Sequence, residues 1–180
     1  MMTSLYFIRH GESQANADGV IAGSLDSPLT EKGVAQAHAV AKAILADNIQ
    51  IDTIIASPLS RAHDTAKIVA NTIEYSIHNI ILVDELQEKA AGDFEGSAID
   101  LLYAATDEEM RRARAESFDD FAERVKQAND KIREHAKGVS LVVGHAGIYR
   151  MAQVLYRGLP PSDMKIMKSV PNGQLKEYPL

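Results

Sequence analysis

Two histidines stand immediately after runs that read as β-strands. Leu5-Tyr6-Phe7-Ile8 leads into Arg9-His10-Gly11, and Leu141-Val142-Val143 leads into Gly144-His145-Ala146-Gly147. Imidazole can serve as nucleophile, base or acid near neutral pH, and the arginine before the first histidine adds a planar fork suited to phosphate or carboxylate. Small residues around both allow close backbone approach. Ala146 and Gly147 also open a helix whose first-turn N–H groups attract anions. A lone histidine in such a place is more often a satisfied core or loop residue; two at equivalent strand ends, one beside an arginine, favour a shared site. Ser57-Pro58-Leu59-Ser60-Arg61-Ala62 supplies a third strand end, from which Arg61 turns either over the same cleft or into solvent. Glu88, in Leu86-Gln87-Glu88 after a fourth strand, is either a carboxylate at the cleft or a solvated residue.

These positions converge only if parallel strands bring their carboxyl ends together, which is where ligands bind in open α/β sheets. Short β-rich runs alternating with longer helical ones carry the signature of that class. The pattern predicts strands at Ser4–Ile8, Thr53–Ala56, Ile80–Val83, Ser140–Val143 and Gln174–Tyr178. Thr30 is the expected N-cap of a helix to about Ala46 with Val34, Ala37, Val40, Ala41, Ile44 and Leu45 on one face. A second helix follows Ser60. A third opens at Ser117 with Asp120 and repeats Phe118, Phe121, Ala122, Val125, Ala128 and Ile132. A fourth runs from about Ile148 to Arg157 and stops at Gly158. The expected fold class is α/β: three layers, α/β/α, with a mostly parallel central sheet. Residues 96–116 break the rhythm, since Leu101-Leu102-Tyr103 precedes a charged run from Asp107 to Arg114, and read as a small helical cap insertion in a single domain spanning 1–180.

A chain of 180 residues with 46% hydrophobic and 24% charged residues suits one compact domain rather than a disordered or fibrous chain. Cysteine is absent, which excludes thiol catalysis and cysteine-ligated metals. His38, His63, His78 and His135 show no ligand spacing, so no metal is expected. A net charge of −6 argues against nucleic-acid or anionic-membrane partners and requires any anionic ligand to find a locally positive pocket. No apolar run nears the roughly 20 residues that span a bilayer, and the cytoplasm is the expected location.

Several ordered blocks together resemble the histidine phosphatase superfamily. They are Arg9-His10-Gly11-Glu12 with Asn16; Pro28-Leu29-Thr30 with Gly33 and Gln36; Ser57-Pro58-Leu59 with Arg61-Ala62 and Thr65-Ala66; Asp84-Glu85-Leu86-Gln87-Glu88 with Gly92-Asp93-Phe94-Glu95-Gly96; Gly144-His145-Ala146-Gly147; and Pro171-Asn172-Gly173. The resemblance implies a phosphatase acting on a small phosphate monoester through a phosphohistidine. His10 would be the nucleophile and Glu88 the acid, then the base. Arg9, Arg61 and an imidazolium at His145 would surround the phosphoryl oxygens. Asn16, the Gly23 backbone and the Ala146 N–H would complete the cradle, with no cofactor.

The chain departs from the family's pattern at Ala22, which leaves only the Gly23 backbone to contact substrate, and at Lys89-Ala90-Ala91, on the leaving-group side. The superfamily also contains phosphoglycerate mutases. They resemble this chain less, carrying His-Tyr-Gly after the acid glutamate, a longer insertion and a longer tail. Arg111 and Arg112 keep that alternative in view; with Arg114 they read either as charge above the cleft or as a solvated helix face. A non-catalytic phosphate-binding module is the alternative of another class. Tyr103 and Tyr149 are expected to pack rather than touch substrate. Oligomeric state is not legible.

Overall fold

The computed structural model describes residues 4–98, 101 and 104–180. The strands are β1 (Ser4–Arg9), β2 (Thr53–Ala56), β3 (Ile81–Leu82), β4 (Val139–Gly144) and β5 (Leu175–Glu177), in sheet order β3-β2-β4-β1-β5. The first four run parallel and β5 is antiparallel to β1. The helices are α1 (Gln14–Ala17), α2 (Glu31–Ala46), α3 (Ser60–Thr72), α4 (Asp107–Arg112), α5 (Phe118–His135) and α6 (Ala146–Tyr156).

Alternation along each strand sends side chains to two separate cores. Phe7, Ile55 and Val142 face α5 and α6, where they pack with Phe121, Val125, Ile132, Ile148 and Met151. Ile8, Ile54, Ala56, Leu141 and Val143 face α2 and α3, with Val40, Ile44, Ala62, Ala66 and Val69. A parallel sheet buried on both faces needs such apolar strands, and the three-layer α/β/α class follows. Tyr149 lies in the first core, its ring 5.1 Å from that of Phe7. No helix among the described residues is long and apolar enough to cross a membrane.

Some boundaries differ from expectation. β3 keeps two of its four residues, because Ile80 closes one 3-10 turn and Val83 opens the next. β5 loses Gln174 and Tyr178, although the Tyr178 N–H still donates to Leu5 O at 2.9 Å. α6 starts at Ala146 rather than Ile148, with His145 extended as its N-cap. Apolar periodicity begins only at Ile148, and the helix start at Ala146 agrees with the reading that Ala146 and Gly147 open it.

The insertion reading falls partly on 99–100 and 102–103, Tyr103 included, which lie outside the described residues. In the described part Thr106 caps α4 through a capping box. Met110 and Ala105 join the core beside Phe118. Arg111 and Arg112 both pair with Glu108 on the exposed face, and Arg114 pairs with Asp93.

Candidate active site

Sheet order does the first positioning. β2, β4 and β1 are neighbours, so Ser57, His145 and His10 emerge side by side. Their register is tied by Ser57 N–H to Val143 O (3.0 Å) and His10 N–H to Gly144 O (2.9 Å). The His10 loop then presses backbone to backbone against the start of α2. A Cβ on Gly11 would lie 2.3 Å from Gly33 O, and one on Gly33 would lie 2.1 Å from Glu12 O, so neither position admits a side chain without displacement. Gly11 N–H donates to Thr65 Oγ1, whose hydroxyl donates to Arg61 O, which links this loop to α3.

One pocket is lined by Arg9, His10, Asn16, Gly23, Arg61, Glu88 and Ala146, seven of the eight candidate residues, with Lys89, Phe118 and Met164 beside them. The eighth, His145, is fully buried behind the wall, its ring 5.1 Å from that of His10. Its Nε2 pairs with Ser57 Oγ at 2.8 Å, while Nδ1 is buried without a hydrogen-bond partner among the described residues. A buried nitrogen without a partner is rare in a native structure, and the neighbouring pocket offers a reason for it.

His10 holds a defined tautomer. Nδ1 lies 2.7 Å from Gly11 O and must donate to it, which leaves the lone pair on Nε2. Burial lowers the His10 pKa well below its usual range, and Arg61 and Arg9 push the same way against the Gly11 carbonyl. Burial, then Arg61, His10, Arg9 and Arg124, do the same to His145. Both shifts favour the neutral imidazole, because a guanidinium-rich, dry site disfavours a further cation.

Arg61, only 1% exposed, turns into the cleft and not into solvent. Its fork is committed differently from expectation, since Nη1 donates to Leu25 O at 2.8 Å and Nη2 to Gly23 O at 2.7 Å. The Gly23 backbone thus meets Arg61 through its carbonyl. The N-terminus of α3 has Leu59 at its cap position, and Asp26 stands in, accepting from Ser60 N–H. Asn16 receives Ser13 N–H and Asn172 Nδ2 on Oδ1, so its NH₂ is the end available to a ligand. Arg9 donates from Nη1 to Val170 O at 3.2 Å. Ala146 opens α6, where first-turn N–H groups have no partner within the helix.

Glu88 accepts from Gly147 N–H (3.0 Å) and Lys89 N–H (2.9 Å). It lies well beyond the end of β3, so a separate device holds it. Arg124 on α5 donates from Nη1 to Glu85 O and Gln87 O (2.9 and 2.7 Å) and from Nη2 to Glu88 O (3.3 Å). Its Nε and Nη2 also grip both oxygens of Glu116. Sequence reasoning missed this clamp, together with Ser57 as the partner of His145 and Phe118 as a pocket residue; Lys89, placed on the leaving-group side, does line the pocket. The one available signal was Arg124 on the otherwise polar flank of an amphipathic helix. Arg111 and Arg112 do not line the pocket.

Two buried histidines at the ends of the neighbouring strands β1 and β4, with Arg9 at the end of β1 and Arg61 in the first turn of α3, give this α/β protein a cationic pocket suited to an anion such as phosphate. The family model described as histidine phosphatase superfamily (branch 1) matches residues 5–178, and the chain belongs to that superfamily. It is 31% identical over 172 residues to the adenosylcobalamin/alpha-ribazole phosphatase of Escherichia coli (strain K12), covering 89% of this chain and 82% of that protein. It is 30% identical over 161 residues to a metal-independent phosphoserine phosphatase of Arabidopsis thaliana, covering 83% and 66%. The crystal structure of a phosphoglycerate mutase from Bacillus anthracis str. Sterne matches with a TM-score of 0.80 at 26% identity, over 97% of this chain and 86% of that one.

Proposed function

We propose that this protein hydrolyses a small phosphate monoester through a phosphohistidine on His10, without a metal. The observation that carries the reading is the Nδ1–H···O bond from His10 to Gly11, which leaves a neutral Nε2 lone pair in a pocket that also holds Arg9 and Arg61. Nε2 attacks phosphorus as the P–O bond to the alcohol breaks, and Glu88 gives its proton to the departing oxygen. Glu88 then takes a proton from water as that water attacks the phosphohistidine, releasing orthophosphate and restoring His10. Arg9 and Arg61 stabilise the charge on the phosphoryl oxygens, aided by the Asn16 amide and the Ala146 N–H. His145 orients the site as a neutral partner of Ser57. The relatives named as phosphatases support hydrolysis. Mutase-type transfer is less favoured, because Arg111 and Arg112 are engaged with Glu108 away from the pocket.

Rapid acid and base quench of the enzyme with labelled p-nitrophenyl phosphate tests this reading. The expected result is base-stable, acid-labile protein-bound phosphate in the wild type and none in His10→Ala, with turnover abolished. Undiminished hydrolysis by His10→Ala would overturn it. A protein that binds phosphate esters without turning any over would be a binding module.

A further inference from the structure

One carboxylate oxygen joins two walls of the pocket. Glu95 Oε1 accepts from Ser24 N–H and Ser24 Oγ, both at 2.9 Å, and from Ala91 N–H at 3.3 Å. Ser24 follows Gly23, whose carbonyl receives Arg61 Nη2 at 2.7 Å. Ala91 lies three residues beyond Glu88. The Gly23-Ser24 turn is thus gripped from both sides, its carbonyl by a guanidinium and its N–H by a carboxylate, and hydrogen bonds of that charge-assisted kind are the strong ones. The two segments also meet around this oxygen. Ile21 N–H donates to Ser97 O and Gly96 N–H to Ile21 O, both at 2.8 Å, and Ile21 packs with Ala91 and Phe94. Glu95 itself does not line the pocket.

The glycine at 23 answers to the same oxygen. Its φ is +54°, and a Cβ built on it would lie 2.3 Å from Glu95 Oε1. The carboxylate is the free end of a flexible side chain and can swing aside, but it then gives up Ser24 and Ala91. A side chain at 23 is therefore opposed twice, by the left-handed backbone and by the loss of that tie. Burial lowers the Arg61 pKa, and Glu88, Asp26 and Glu95 act against it, so Glu95 also contributes to the field that holds the guanidinium.

We propose that Glu95 is a positioning residue: by tying the Ser24 turn to the backbone just beyond Glu88, it sets Arg61 and Glu88 at their working separation across the pocket, and residue 23 is glycine to leave it room. The proposal rests on the phosphomonoesterase reading above and adds to it a residue that acts only through others.

Three substitutions test it. Glu95→Ala removes the acceptor, Glu95→Gln keeps an oxygen at the same reach without the charge, and Glu95→Asp keeps the charge but retracts it by one carbon. Two readouts follow the two walls. Inorganic phosphate affinity, measured by calorimetry, reports Arg61 and needs no turnover. The ratio of kcat on an alkyl phosphate to kcat on p-nitrophenyl phosphate reports Glu88. Glu95→Ala should weaken phosphate binding about tenfold, the worth of one hydrogen bond to a charged group, and lower the kcat ratio about tenfold through misplacement of Glu88. Glu95→Asp should resemble Glu95→Ala, Glu95→Gln should restore most of both, and Gly23→Ala should reproduce the loss. Wild-type phosphate affinity and an unchanged kcat ratio in Glu95→Ala overturn the proposal. So does Glu95→Gln no better than Glu95→Ala, since the effect would then not come from the acceptor. If Glu95→Ala does not fold, Glu95→Asp against Glu95→Gln decides the same point. Wild-type enzyme that binds phosphate yet turns over neither ester would instead overturn the phosphatase reading.

Discussion

Gly147 meets the Glu88 carboxylate through its missing side chain. Its N–H donates to Oε2 at 3.0 Å, and a Cβ built on it would lie 2.1 Å from Oε1. The helix start that carries the second histidine is thereby also the seat of the proposed acid, and an extra carbon at Gly147 would have to push the Glu88 carboxylate aside.

Gly147→Ala should therefore act as a displacement of Glu88. Within a helix, alanine is intrinsically favoured over glycine by up to about 1 kcal/mol, so thermal stability should hold or fall little while activity drops. General acid catalysis contributes about a hundredfold to ten-thousandfold. The loss should approach that range for an alkyl phosphate, whose alkoxide needs a proton, and be much smaller for p-nitrophenyl phosphate. Glu88→Gln should give the same asymmetry in the phosphorylation step of a single-turnover quench. Equal losses on the two substrates in both variants would remove Glu88 from the acid role.

The buried histidines make stability depend on pH in a defined window. Burial, and then Arg61, hold both His10 and His145 well below the ordinary value of 6.5. Above pH 6.5 neither the folded nor the unfolded chain protonates these rings, and their contribution is fully present. As pH falls below 6.5 the unfolded chain takes up protons that the folded chain refuses. Stability then falls by up to about 1.4 kcal/mol per pH unit for each ring. Urea unfolding at pH 7, 6 and 5.5 should show this slope, and His145→Asn should flatten it by about one ring's share. An unchanged slope in His145→Asn would mean that His145 titrates normally in the folded protein.

Arg124 should behave as a positioning residue. Lysine keeps its charge but cannot span the carbonyls of Glu85, Gln87 and Glu88 together with both oxygens of Glu116. Arg124→Lys is expected to lower kcat on an alkyl phosphate by about tenfold or more through misplacement of Glu88. KM should change little, since Arg9 and Arg61 are untouched. A rise in KM with kcat preserved would assign Arg124 to substrate binding instead.

The residues that could be read in advance were those whose position follows from a strand end. Arg9, His10 and His145 needed only the apolar runs before them, and parallel pairing of β1 with β4 brings those ends together. Arg61 was legible as a cation near the cleft but not in its bonds. Those depend on the carbonyls of Gly23 and Leu25 in a loop whose path no periodicity describes. Lys89 was visible as a departure from relatives, yet its burial is created by Phe118 and Glu116, more than two dozen residues away and across the insertion. Arg124 gave the least warning, because a helix face records that a side chain is polar and not which distant carbonyls it will meet. Both ends of β3 and the Gln174 end of β5 were overestimated for a related reason: the apolar pattern continues where turn hydrogen bonds have already ended the ladder.

The His10 loop is held by a segment far downstream of it in the chain. Asn172 Nδ2 bridges His10 O and Asn16 Oδ1, Gly173 N–H donates to Arg9 O, and Val170 O receives Arg9. His10 and Asn172 are 162 positions apart. At about 5–20 residues per second of synthesis, the loop waits on the order of ten to thirty seconds for its splint. Ribosome-bound chains stalled before residue 170 should carry no ordered histidine loop, so the pocket is completed only once residues 170–173 have been made and chains stopped short of them are inert.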